Sequence, residues 1–184
     1  MKKLSDMTLE ELWELFPIFL TKPQSCWAEW YEEEKKEIEK LAQCLVKIHH
    51  IGSTAIQGIW AKPIIDILVE VENYSEMKNL ACLMEKNGYI DMSSSSVPRI
   101  SLNKGYTENG FAERVFHIHL RIVGDTDELY FRDYLNAHSE VAKEYEALKL
   151  SLWKQFEHDR DGYTNAKTQF VKKYTKIAKA LVNN

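Results

Sequence analysis

The chain has 184 residues, 45% of them hydrophobic and 28% charged, with a formal net charge of −4, the make-up of one globular domain with a sizeable core and no general affinity for nucleic acid. It has no run of about 20 apolar residues, so no membrane span is expected, and Asp6, Glu10, Glu11 and Glu14 stand where a signal peptide needs an apolar centre. Three widely spaced cysteines, Cys26, Cys44 and Cys82, read as reduced thiols of a cytoplasmic protein.

In chain order, Thr8-Leu9-Glu10-Glu11 is a capping-box pattern and predicts a short helix that stops before Pro17. A second helix is expected over 26–45, from the spacing of Trp27, Trp30, Tyr31, Ile38, Leu41 and Leu45. Residues 45–51 read as a strand. Gly52-Ser53-Thr54 reads as a turn in which Ser53 or Thr54 caps a short helix ending near Gly58. A strand over 64–72 and a helix over 75–87 follow, the helix closed by Gly88. Strand-like segments at 89–92 and 99–104, a turn over 106–110 and a strand over 114–123 complete the middle of the chain. Ser93-Ser94-Ser95-Ser96 reads as a flexible loop. After Gly124, residues 127–138, 139–156 and 161–182 all read as helices, and the last carries an amphipathic stripe from Tyr163 to Leu181. Strands in the middle and helices at the end predict an α+β domain with a mixed sheet covered by helices. Residues 1–184 form a single domain in this reading, with 1–25 an N-terminal helical extension and 125–184 packed on the sheet. The five tryptophans, Trp13, Trp27, Trp30, Trp60 and Trp153, are assigned to core packing.

Two strands carry one polar face each. Ile65, Ile67, Val69 and Val71 point one way; Asp66, Leu68, Glu70 and Glu72 point the other. In the later strand Phe116, Ile118, Leu120 and Ile122 oppose His117, His119 and Arg121. If the two strands are neighbours, Asp66 and Glu70 share a surface with His117, His119 and Arg121, a setting for a metal, a phosphate or a proton transfer. The alternative is the solvated face of an antiparallel sheet. The Gly52-Ser53 turn offers backbone N–H groups and a hydroxyl suited to phosphate oxygens, or simply a helix start. Lys62, just before Pro63, suits phosphate as well, or is a surface lysine. Arg99, Lys104, Asn165 and Lys167 are further candidates, each also readable as surface.

The stretches HIGSTAIQGIWAKPIIDILVEV (50–71), FHIHLRIVG (116–124), FRDYLNAHSEVAKEYEALK (131–149) and DRDGYTNAKTQFV (159–171) resemble the GrpB-like family, whose members look like divergent relatives of the polymerase-beta-type nucleotidyltransferases. The resemblance implies a nucleotidyltransferase-like mixed sheet flanked by helices, with a helical C-terminal part. It maps the phosphate-holding turn onto Gly52 and Ser53 and the first catalytic acid onto Asp66; beside these the residue pattern offers Thr54, Lys62 and Arg121 as phosphate or nucleotide contacts and Glu70 as a second catalytic carboxylate. Where the wider superfamily places a second acid, this chain has Leu68, and histidines stand where a later carboxylate would be. Glu70 lies two residues beyond Leu68, about 7 Å at strand rise. One carboxylate with two histidines suits a single cation held by Asp66, His117 and His119 better than a two-metal site. The expected cofactor is a divalent metal, Mg²⁺ or Mn²⁺, with Zn²⁺ as the softer option. The expected partner is a nucleotide or other phosphorylated small molecule. The expected function is metal-dependent nucleotidyl or phosphoryl transfer to a small molecule, with an inactive binding module of the same fold or a single-metal His/Asp enzyme as alternatives.

Overall fold

The computed structural model describes residues 2–93 and 98–182. Ser94 to Ser96 of the serine loop lie outside the described residues. The Thr8 side chain accepts from Glu11 N–H and the Glu11 carboxylate accepts from Thr8 N–H, so the expected capping box starts α1 (Leu9–Leu15). Helix α2 (Cys26–Leu41) ends before the predicted 45. Strands β1 (Lys47–Ile51) and β2 (Ile64–Val71) follow, then α3 (Tyr74–Glu85), whose N-cap is Asn73. Strands β3 (Ile90–Asp91), β4 (Ile100–Thr107) and β5 (Gly110–Ile122) come next, β4 and β5 being longer than their local patterns suggested. Three helices close the chain: α4 (Asp127–Ala137), α5 (Ser139–Trp153) and α6 (Arg160–Val182). No described helix is long and apolar enough to cross a membrane.

The five strands form one sheet in the order β1-β2-β5-β4-β3. Strands β2 and β5 run parallel; the other neighbours are antiparallel. This is the mixed sheet of an α+β fold. Ile65, Ile67, Val69, Val71, Phe116, Ile118 and Leu120 turn to one face and bury against Trp27 and Ile38 of α2 and Met77, Leu80 and Met84 of α3. Of the tryptophans assigned to the core, only Trp27 is fully buried; Trp13, Trp30, Trp60 and Trp153 are half-buried.

The polar face of β2 and β5 is not a solvated one. Helices α4 to α6 cover it around a second core of Ile56, Ile59, Phe131, Leu135, Tyr145 and Tyr174. The expected short helix after Gly52 is a single 3₁₀ turn, Ser53–Ala55, without a side-chain cap. Side chains from the distant helices hold this segment instead. Asn136 accepts from Gln57 N–H at 2.9 Å and donates to Ala55 O at 3.0 Å. Arg132 donates to His50 O at 2.8 Å, and Lys143 to Gly58 O at 2.6 Å. Glu146 accepts from Trp60 N–H at 2.7 Å, and Lys149 donates to Trp60 O. The 50–71 and 131–149 stretches are thus the two sides of one joint.

Candidate functional site

The parallel pairing of β2 with β5 sets Asp66 opposite His117, Leu68 opposite His119 and Glu70 opposite Arg121. Asp66 Oδ1 lies 3.3 Å from His117 Nδ1 and 3.4 Å from His119 Nε2. The partners behind each ring assign its proton. Arg121 has donors only, so its Nη2, 3.5 Å from His119 Nδ1, leaves the His119 proton on Nε2, facing Asp66. Tyr106 Oη lies 2.7 Å from His117 Nε2, and Arg160 donates to the same oxygen at 3.5 Å. The phenol proton is then given to Nε2, and His117 donates from Nδ1 to Asp66. Burial favours the neutral acid at Asp66, but the hydrogen bonds from His117 and His119 override it and hold the carboxyl well below its usual range. Burial also pushes His117 down to about 4, against the pull of Asp66.

Gly52, at φ 70°, closes over Asp66 from the β1 side. Asp66, His117, His119, Gly52, Ser53 and Lys62 form the floor of a cavity of about 710 Å³ roofed by α4, α5 and α6. The roof is cationic, with Lys149 from α5 and Arg160, Lys167, Lys172, Lys176 and Lys179 from α6. Burial pushes Lys62 down to about 7, with Lys167 and Arg160 adding to the effect and Asp66 opposing it. Burial likewise brings Lys149 to about 7 and Lys167 to about 8. Lys62 and Lys167 both stand over the Tyr163 ring, at 5.4 and 4.1 Å from its centroid. Tyr145, raised to about 12 by burial, has a hydrogen bond with Ser53 that partly offsets the shift.

The other sequence candidates lie elsewhere. Thr54 is buried, donating to Ile64 O at 3.3 Å with His50 Nε2 at 2.9 Å, and ties the turn to the start of β2. Glu70 faces His49 at 3.0 Å, further along the sheet than the cavity lining. Arg121 is buried behind His119, donating to Leu120 O at 2.9 Å and Ile100 O at 3.3 Å. Arg99 makes a bidentate pair with Asp125, Lys104 is bound to Glu34 on the opposite face, and Asn165 is exposed. Lys149, Arg160, Lys172, Lys176, Lys179 and the relay residue Tyr106 were missed from the sequence. The helical periodicity of α6 did contain a signal, since Arg160, Thr164, Lys167, Val171 and Thr175 recur at three- or four-residue intervals on one face.

As arranged, the Asp66 cluster does not fit a resident metal. Both imidazoles present N–H groups to the shared oxygen, and a ligand nitrogen must present a lone pair. Among the described residues no group of three His, Cys, Asp or Glu is placed to hold a metal ion. A two-metal site lacks its second carboxylate, because Leu68, fully buried, occupies that position.

A family model described as GrpB protein matches residues 17–177. The solved structure of the conserved protein GrpB from Enterococcus faecalis superposes with a TM-score of 0.78 and 32% identity, over 90% of this chain and 100% of that one. The glutamate-rich protein GrpB of Alkalihalophilus pseudofirmus is 38% identical over 151 residues, 79% of this chain and 86% of that protein. UPF0157 protein YqkA of Bacillus subtilis is 34% identical over 157 residues, 83% of this chain but 45% of YqkA, so the chain spans under half the length of that relative. With the family model covering most of its length, the chain belongs to the GrpB protein family.

Proposed function

We propose that the cavity binds a phosphate-bearing small molecule, a nucleoside triphosphate foremost, and that the protein acts on it as a nucleotidyl or phosphoryl transferase. One observation supports the binding most directly: Lys62 and Lys167, both half-buried, converge in the cavity with no ion-pair partner among the described residues. Ammonium groups drawn out of water and crowded together, with Asp66 as the opposing charge, are costly unless a further anion joins them. The Gly52-Ser53 turn at the cavity floor suits phosphate oxygens. Transfer itself is proposed from the resemblance to nucleotidyltransferases. A divalent cation would have to bring the phosphates as most of its ligands, since Asp66 is the one carboxylate on the floor among the described residues. The setting proposed is cytoplasmic, in keeping with three free cysteines.

Calorimetric titration with ATP, GTP, CTP and UTP, with and without Mg²⁺ or Mn²⁺, tests the reading. At least one nucleotide should bind, with affinity falling tenfold or more in Lys62→Ala and Lys167→Ala. Absence of binding under every condition would overturn it. Leu68 favours a second reading, a binding module without turnover; release of pyrophosphate or nucleoside diphosphate separates the two.

A further inference from the structure

Helix α6 runs the length of the cavity. From Arg160 to Lys179 it spans about 28 Å at helical rise. Its first turn lies at the Asp66 end, where Arg160 donates to Tyr106 and Tyr106 meets His117. Its last turns lie at the start of α4, where Lys179 pairs with Asp127. The cations therefore fall into two groups. Lys62, Lys149 and Lys167 surround the floor, whereas Lys172 and Lys176, both exposed, line the outer end. Neither Lys172 nor Lys176 has an ion-pair partner among the described residues. Of the lining carboxylates, Asp127 is paired with Lys179, Asp66 accepts from two neutral histidines, and Glu128 lies 3.8 Å from Arg121 with its Oε2 lacking a hydrogen-bond partner among the described residues. With seven basic side chains in the lining against three acidic ones, a polycationic ligand meets net repulsion, and an anionic one finds two unpaired lysines at the outer end.

We propose that the outer end of the cavity is a second ligand site that takes an anionic small molecule, bearing a carboxylate or phosphate group, and that this molecule is the acceptor in the transfer. The proposal rests on the nucleotide reading of the floor. In nucleotidyl transfer an acceptor hydroxyl oxygen bonds to the α-phosphorus, the α–β phosphoanhydride P–O bond breaks, pyrophosphate leaves and the hydroxyl proton passes to solvent. The outer lysines hold the acceptor by its charged group and leave its hydroxyl free for that step.

The test counts equivalents of inorganic pyrophosphate bound by the full chain in calorimetry, against spermidine as the cationic probe. The wild type should bind two equivalents of pyrophosphate and no spermidine. The double variant Lys172→Glu with Lys176→Glu should keep one equivalent, and Lys62→Ala should keep the other. Both outer positions are exposed, so an unchanged melting temperature is expected and checks the fold. A single wild-type equivalent that is abolished by Lys62→Ala would overturn the second site and leave the floor site standing. Two equivalents untouched by the outer double variant, or tight spermidine binding, would also overturn the proposal. No pyrophosphate binding at all would overturn the floor reading with it.

Discussion

A Cβ on Gly52 would lie 2.2 Å from Asp66 Oδ2 and 2.8 Å from the Asp66 Cβ and Cγ. The turn and the carboxylate are one construction: β1 delivers the glycine, β2 delivers the acid, and only a hydrogen fits between them. The backbone at φ 70° adds a second reason for glycine. Gly52→Ala should therefore displace Asp66, cost about 1–3 kcal/mol of stability, and weaken nucleotide binding. Thermal melting and calorimetry check both effects, and a variant with wild-type melting and binding would contradict the close approach.

The lysine cluster makes two pH trends that run in opposite directions. Lys62 and Lys149 stand at about 7 and Lys167 at about 8, all below their ordinary value of 10.5. Above pH 7 the unfolded chain holds more protons on these groups than the folded one, so stability of the ligand-free protein should rise from pH 7 to 9. Anion binding needs the ammonium form, so affinity for pyrophosphate should fall over the same range, by roughly tenfold between pH 6.5 and 9. Melting curves and titrations across that range read the two trends separately. A flat affinity profile would place the bound anion away from these three lysines.

The faces of β2 and β5 were legible because strand side chains alternate with period two, and Asp66 stands out in an apolar run. Their adjacency came as a conditional, since nothing local says that residue 66 will stand beside residue 117. The roof was the harder part. Lys167 follows Ala166 in a stripe that reads as a helix with a solvated flank, and only the packing of α6 over the sheet turns that flank inward. Glu70 and Arg121 share the polar face as expected, yet both sit past the cavity, one step along the strands beyond buried Leu68 and the cavity-lining His119. Arg132, Asn136, Glu146 and Lys149 looked like ordinary helix polarity; their targets are backbone groups 80 or more residues away in sequence, beyond any local pattern.

On the opposite face, buried Glu34 accepts from the Tyr89 hydroxyl and from Lys104, whose Nζ lies 2.9 and 2.8 Å from the two carboxylate oxygens. Glu34→Ala strands a phenol and an ammonium group between α2 and the sheet. A loss of about 3 kcal/mol is expected, at the lower end for a broken buried pair because Lys104 keeps partial access to water. Urea denaturation measures it. Ligand affinity in the cavity should stay within about twofold of wild type, which makes this variant a control for stability effects on binding.

Tyr163 offers a change in the other direction. It is fully buried, and its hydroxyl has no hydrogen-bond partner among the described residues. A buried donor left unsatisfied costs about 1–3 kcal/mol. Tyr163→Phe removes that group and keeps the ring that faces Lys62 and Lys167. The variant should gain about 1 kcal/mol, seen as a higher urea midpoint with an unchanged slope, while pyrophosphate affinity is preserved. A drop in stability would mean that the hydroxyl is satisfied in solution by a water molecule. A drop in affinity alone would mean that the hydroxyl reaches the ligand, and would add Tyr163 to the groups that hold the anion at the floor.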